Sequence, residues 1–415
     1  MNININSEIG KLEGVILHSM GQEIENMNPQ NAERALYSDI LNLAVAKKEY
    51  EQFEQILEKH TTVFKVNTLL SDILKNEKVK SDLIKNICKN ENIPEIEDEL
   101  LNTNNIELAR LLIEGVEIRK NSLTNFMNKQ RFALQPLHNF FFTRDASVSI
   151  GNRVFISKMA SKIREREALI MEAIFDYNPN FSTKSINPLK YKNFSSQISM
   201  EGGDILVARN DILLIGMSSR TTTQGIDFII DRIKEFSNKH HIIVQELPES
   251  PESFIHLDMV FTFLDNNKAM VYEPVIFRKN KFQTVHISID NGKVVSIKNV
   301  DNIIVALKSL GLDLETIKCG GENDIWVQER EQWHSGANFF AMAPGKIIGY
   351  NRNVYTIEAL NKNGFEILKA TDIIKNKIDI ANYEKYVVTI EGTELARGGG
   401  GARCMTMPVS REDIK

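Results

Sequence analysis

Cysteine is nearly missing from this chain of 415 residues: Cys88, Cys319 and Cys404 are all it has. Three scattered thiols exclude a disulfide framework and the paired spacing of a zinc knuckle, and they suit a reducing compartment. No apolar run reaches the length of a membrane span. Neither sign of charge dominates, since 50 Lys and Arg stand against 55 Asp and Glu for a net −5, which gives a nucleic acid or an anionic membrane little to attract. Met1 to Glu8 holds neither a basic region nor an apolar core, so no secretory leader is expected. No G-x-G-x-x-G follows a strand pattern, and Gly320-Gly321 after Cys319 reads as a turn beside a small buried cysteine. The expectation is a soluble cytoplasmic protein without nucleic-acid or membrane partners. Hydrophobic content of 42% and charged content of 25% are those of a globular chain.

What is present alternates. Lys11 to His18 and Val63 to Val66 read as strands, and Asn31 to Glu58 has apolar residues at helical steps. From about Leu69 to Asn128 the apolar positions Leu74, Val79, Leu83, Ile84, Ile87, Leu108, Leu111, Leu112 and Val116 keep helical spacing, with a break at Pro94. This stretch reads as a helical insertion. After it come a strand pair at Ser147–Ile150 and Val154–Ile156, then a helix from Ile163 to Tyr177. A second pair spans Asp204–Val207 and Ile212–Ile215, followed by a helix from about Gln224 to Lys239. Met259–Phe263 with Ala269–Tyr272, and Asn338–Met342 with Ile347–Tyr350, repeat the pairing, the last before a helix near Ile357 to Asn363. The recurring unit is two strands, a helix and often another strand.

Four motifs carry chemistry. Four glycines, Gly398 to Gly401, lie between Arg397 and Arg403, directly before Cys404. Such a run lets the backbone turn sharply, and nearby positive charge favours a thiolate. Alone, the segment is equally a flexible tail with an incidental cysteine. Asn139 to Ser147 sets three aromatics, Phe140 to Phe142, before Thr143, Arg144 and Asp145; an Asp capping a turn accounts for that by itself. Glu201-Gly202-Gly203-Asp204 puts two acids around two glycines, as a solvated turn also would. His256 and Asp258 stand two apart, on one face if the segment is a strand. Together they offer a nucleophile, an acid/base and three carboxylates. That set suits a planar cationic electrophile such as a guanidinium, which paired carboxylates hold by charge-assisted bonds.

In this order the motifs resemble the arginine deiminase family of the guanidine-modifying superfamily. The resemblance runs from Ser7-Glu8-Ile9-Gly10 through Phe142 to Asp145, Glu201 to Asp204, His256 to Asp258, Arg330 to Trp333 and Gly349 to Asn353, ending at Arg403-Cys404-Met405. It implies an α/β fold, a five-bladed pseudo-symmetric propeller of ββαβ-type modules over 1–68 and 129–415, with a helical domain inserted at 69–128. It implies that Asp145 and Asp258 clasp a guanidinium, that Glu201 partners the acid/base His256, and that Cys404 is the nucleophile. Asn139, Arg164 and Arg220 match the positions that take the substrate's α-carboxylate, Phe142 matches the aromatic beside the guanidinium, and Arg397 joins the binding set from the glycine loop. Many relatives have an arginine in that loop where this chain has Gly399.

The implied reaction is L-arginine plus water to L-citrulline and ammonia through a covalent thiouronium on Cys404, with no metal or organic cofactor and a homo-oligomeric assembly. Two rivals are another guanidine-modifying activity, on agmatine or a peptidyl arginine or with an amine acceptor, and a non-catalytic arginine binder. An α-carboxylate site argues against the first, and an intact nucleophile against the second.

Overall fold

The computed structural model describes residues 1–29, 39–181, 183–192, 195–277, 281–322 and 324–414. Strand β1 (Leu12–Leu17) pairs in parallel with β2 (Thr62–Lys65), and a short ribbon joins β3 (Val116–Glu117) to β4 (Phe132–Leu134). Next, β5 (Ser147–Ile150) pairs antiparallel with β6 (Arg153–Ile156), and β6 in parallel with β7 (Ser185–Ile186). The same pattern of one antiparallel and one parallel neighbour recurs in β8 (Ile205–Arg209), β9 (Ile212–Met217) and β10 (Lys239–Glu246). It recurs in β11 (Phe261–Asp265), β12 (Lys268–Val271) and β15 (Glu315–Lys318). A hairpin of β13 (Thr284–Asp290) and β14 (Lys293–Val300) extends the β8–β10 sheet. The pattern holds again in β16 (Phe340–Ala343), β17 (Lys346–Tyr350) and β19 (Tyr386–Ile390), with β18 (Glu366–Lys369) at the edge. Strand β20 (Met407–Arg411) returns antiparallel to β1, giving that sheet the pattern too. An antiparallel hairpin needs only a short turn, whereas the parallel third strand needs a crossover, commonly a helix.

The segment expected to be helical contains α2 (Val66–Ile73), α3 (Glu77–Glu91) and α4 (Asn105–Glu114), after α1 (Leu43–Glu58). Asn76 and Asn104 cap α3 and α4 by accepting backbone N–H bonds, and Asn92 ends α3 in the left-handed region before Pro94. Their apolar faces share one core with Ile16 of β1 and with Ile170 and Ile174 of α5 (Glu165–Tyr177). Of the helix expected over 31–58, residues 31–38 lie outside the described residues, and the described part runs Leu43–Glu58, capped by the Asn42 side chain, which accepts from Val45 N. The helix expected over 224–239 is α6 (Thr223–Ile233), and Lys239 already begins β10.

Candidate active site

The glycine run explains itself through its neighbours. A Cβ at Gly400 would lie 2.5 Å from the Phe142 ring, and one at Gly401 would lie 2.7 Å from Asn338. The loop therefore packs flat on both and delivers Cys404 to a buried position. Gly399 is different, with φ +81° and open space where a side chain would go. Tyr350 Oη donates to Gly400 O at 2.9 Å and fixes the loop from below.

Asn338 holds the cysteine itself. Its Oδ1 accepts from Arg403 N at 2.9 Å and Cys404 N at 3.2 Å, while its Nδ2 lies 3.2 Å from the sulfur. The Asp258 carboxylate stands 3.7 and 3.9 Å from the same sulfur. Burial, then the charges of Asp258 and Asp145, hold the thiol well above its ordinary range. Arg403 offsets little of this, because its guanidinium is bound to Asp258 at 2.8 Å and to both oxygens of Glu8 at 3.0 Å. Arg397 lies at the rim, bonded to Asp39 and to Glu394. Arg403 does favour the thiolate, as expected, but burial and the two aspartates outweigh it; Arg397, at the rim, is bound to carboxylates.

His256 does not sit on a strand. It precedes a tight 3-10 turn, Leu257–Met259, so the shared strand face expected for His256 and Asp258 is replaced by a turn that sends them to different partners. Its Nε2 lies 3.0 Å from Glu201 Oε2 and its Nδ1 3.6 Å from Asp145 Oδ1. Burial opposes the imidazolium, but Asp145, the Glu201 hydrogen bond and Asp204 outweigh it and raise His256 to about 9. Glu201 goes the other way: burial disfavours its charge, yet the hydrogen bond and charge of His256 bring it to about 2. Asp204 stands behind them, raised to about 7 by burial, accepting from Leu257 N and Ser218 Oγ. The two glycines between these acids are required by packing: a Cβ on Gly203 would lie 2.4 Å from His256 Nδ1, and one on Gly202 would lie 2.1 Å from Arg144 O.

Asp145 has one oxygen occupied and one waiting. Arg164 Nη1 donates to Oδ2 at 2.8 Å, whereas buried Oδ1 has no hydrogen-bond donor among the described residues. A buried carboxylate oxygen without a donor is costly unless a ligand supplies one. Arg164 also donates through Nε and Nη2 to Glu167 and through Nη2 to Asn139 O, leaving one Nη1 donor of its five uncommitted. Arg220 is half-buried, and its guanidinium makes no hydrogen bond or ion pair among the described residues.

A cavity of about 260 Å³ gathers Asn139, Phe142, Asp145, Arg164, Arg220, His256, Arg397 and Cys404 on its wall. Glu201 and Asp258 do not line it and stand behind His256 and Cys404. Sequence reading gave no role to Asn338, or to Trp333 and His334 at the wall; Trp333 ends the Arg330–Trp333 motif, which carried the resemblance without a site assignment, and no motif marks the other two. Among the described residues Asp145, Glu201 and His256 are the trio compact enough to ligate a cation, their donor atoms lying within 4.8 Å of one another. With His256 at about 9, a proton competes for that trio at neutral pH.

A family model described as arginine deiminase matches residues 33–411. The chain is 31% identical to the arginine deiminase of Oenococcus oeni, covering all of this chain and 98% of that one. It is 32% identical to that of Mycoplasma capricolum, with the same coverage. Among solved structures it resembles the amidinotransferase SxtG of Microseira wollei, at TM-score 0.53 and 16% identity over 99% of this chain and 98% of that one. It also resembles the N-terminal domain of ArgZ, an arginine dihydrolase of cyanobacteria, at TM-score 0.53 and 13% identity over 97% and 99%. Those two likenesses are of fold, and they place the chain among α/β proteins. The family model and the full-length relatives show that this chain belongs to the arginine deiminase family, and it is a hydrolase of that family.

Proposed function

We propose that this enzyme converts free L-arginine and water to L-citrulline and ammonia. One observation carries the reading: a single cavity holds a buried thiol, a carboxylate oxygen lacking a donor, and a half-buried arginine lacking an acceptor. A ligand that satisfies all three has a guanidinium at one end and a carboxylate at the other. Asp145 Oδ1 takes one edge of the guanidinium, Asp258 stabilises the carbon from beside the sulfur, and Arg220, with Asn139 and the remaining donor of Arg164, takes the α-carboxylate.

The arriving cation offsets Asp145 and Asp258, so the Cys404 proton leaves to solvent and the thiolate attacks the guanidinium carbon. His256, an imidazolium at neutral pH, protonates the departing nitrogen, and ammonia leaves a thiouronium on Cys404. Neutral His256 then takes a proton from water as hydroxide adds to the carbon. Collapse breaks the C–S bond, returns the thiolate and releases citrulline, whose oxygen loses its proton to solvent. Glu201 holds His256 upright throughout.

We further propose that the five strand groups close into a five-bladed ring, that 69–128 is an inserted helical domain, and that the chain assembles with copies of itself. The recurring strand pattern and the helices between β2 and β3 support the first two.

The test is ureido formation from arginine, agmatine and dimethylarginine by the parent and by Cys404→Ser. Citrulline from arginine, with little product from the other two and none from Cys404→Ser, is expected. A preference for agmatine, or turnover by the serine variant, would remove the assignment.

A further inference from the structure

Away from the catalytic cavity, the β10–β13 pairing places His241 opposite Ser288 and Ile243 opposite His286. Side chains alternate along a strand, so His241, His286 and Ser288 share one face, with the histidines on a diagonal. His241 Nδ1 lies 3.1 Å from His286 Nε2, and Ser288 Oγ lies 3.4 Å from that same Nε2. Two donor atoms, one from each neighbouring side chain, thus flank His286 Nε2. His241 and Ser288 are partly exposed, so the spot is open to solvent, and none of the three lines the catalytic cavity.

The spacing is that of ligands on one ion. Two imidazole nitrogens at about 2.0–2.1 Å from a shared metal stand about 2.9 Å apart at a right angle and about 3.4 Å apart at a tetrahedral one. The observed 3.1 Å falls between these limits. A neutral imidazole is the form that ligates. Lys298 faces His286 from β14 and Asp211 is the acid nearest in effect to His241, although Arg209 binds it at 3.0 Å. With no carboxylate in the donor set, hard cations such as Ca²⁺ and Mg²⁺ are disfavoured, and borderline ions that take imidazole are favoured.

We propose that His241, His286 and Ser288 form a second, non-catalytic site for a borderline divalent transition-metal ion of the Ni²⁺, Cu²⁺ and Zn²⁺ class. As the ion enters, the proton between the rings moves to the far nitrogen of the ring that carried it, so both imidazoles ligate as neutral groups, and the ion clips β13, with the hairpin it leads, to β10.

The probe is Ni²⁺ alone, titrated calorimetrically into the full chain after chelator treatment. The catalytic trio could also take up the ion, so parent, His241→Gln and His286→Gln are compared. One equivalent in the parent is expected to weaken at least about tenfold in each variant, because each loses a ligand. The metal-induced rise in melting temperature is expected to vanish in both, with citrulline formation unchanged. Anomalous scattering from Ni²⁺-soaked crystals of the parent locates the ion independently of how the variants fold. Equal uptake by all three proteins, or an ion seen only at Asp145, Glu201 and His256, would overturn the site and reduce the His241–His286 contact to an ordinary N–H···N hydrogen bond.

Discussion

Asn338 fixes Cys404 from both sides of the peptide: its amide oxygen accepts from Cys404 N at 3.2 Å, and its amide nitrogen lies 3.2 Å from the Cys404 sulfur. One neutral side chain therefore bears on both the position of Cys404 and the surroundings of its sulfur. Asn338→Ala leaves the buried N–H groups of Arg403 and Cys404 without an acceptor, at about 1–3 kcal/mol for each group left unpaired. Lower melting temperature and a fall in kcat/KM of about tenfold or more are expected. Asn338→Asp separates the two roles, because it keeps the acceptor but brings a negative charge to the sulfur. Because the new carboxylate is buried beside Asp258 and no longer donates to Asp258 O, lower stability is expected here too, with strongly reduced activity that recovers as pH rises. Equal activity in Asn338→Asp and the parent would deny the side chain any part in thiol chemistry.

The two aspartates should not behave alike. Asp258 is bound by Arg403, and its loss also uncovers a buried guanidinium shared with Glu8. Asp145 Oδ1 accepts no hydrogen bond among the described residues, although His256 Nδ1 stands 3.6 Å from it, and Arg164, its partner at Oδ2, keeps Glu167 when that bond weakens. Asp145→Asn is expected to lower kcat/KM by about ten- to a hundredfold, since a charge-assisted hydrogen bond is worth about 1.5–3 kcal/mol, with modest change in melting temperature. Asp258→Asn is expected to lower both. Kinetics and thermal denaturation of the pair check the contrast; unaltered kinetics in Asp145→Asn would reduce it to a partner of Arg164.

His256 gives the fold a pH signature. Its folded value, about 9, lies above the ordinary 6.5, so the folded state holds this proton more tightly than the unfolded chain. The resulting stability is fully present below about 6.5 and is lost as pH rises through about 9. Melting temperature of the parent is expected to fall between pH 7 and pH 9.5, and His256→Gln is expected to flatten that part of the profile. Parallel profiles would mean that His256 titrates near its ordinary value.

The glycines near the site divide by what a Cβ would meet. Gly203→Ala sets a methyl 2.4 Å from the His256 ring and 3.0 Å from its own Cβ, so the imidazole must leave Glu201. Gly399→Ala meets nothing within 4 Å and pays only for φ +81°. Near-complete loss of citrulline formation is expected for the first. For the second, stability falls by about 1 kcal/mol with activity largely kept. Strong inactivation by Gly399→Ala would show that the loop must change shape during turnover.

Legibility in the sequence followed packing. The helical stretch was readable because Val79, Leu83, Ile84 and Ile87 face a core on one side of α3 only, and that one-sidedness is what periodicity records. Strand β10 was not, because it lies at the centre of its sheet. Ile242, Ile243 and Val244 are buried on both faces and show no alternation. The β13–β14 hairpin did carry a signal that went unused: Asn291-Gly292, both at positive φ, is the turn that twisted hairpins prefer. The acids, histidine and cysteine that meet at the site were legible through their motifs. Asn338 was not, because its function arises when β16's approach meets the Cys404 loop 66 residues away.

Arg220 lines the cavity, and its guanidinium makes no hydrogen bond or ion pair among the described residues. If it receives the α-carboxylate, arginine and agmatine should respond differently to its removal. In the parent, agmatine leaves the guanidinium unsatisfied, a penalty that arginine avoids by supplying the anion. Arg220→Ala therefore costs arginine the attraction, about 1.5–3 kcal/mol or roughly ten- to more than a hundredfold in kcat/KM, while agmatine loses little. Arg164→Ala is expected to harm both substrates, because most of its donors seat Asp145 and Glu167 rather than the ligand. Measuring kcat/KM for both substrates in the parent and both variants decides the matter. A uniform loss in Arg220→Ala would move its charge to the support of Glu201, which it already helps to hold ionised, and the carboxylate would need another partner.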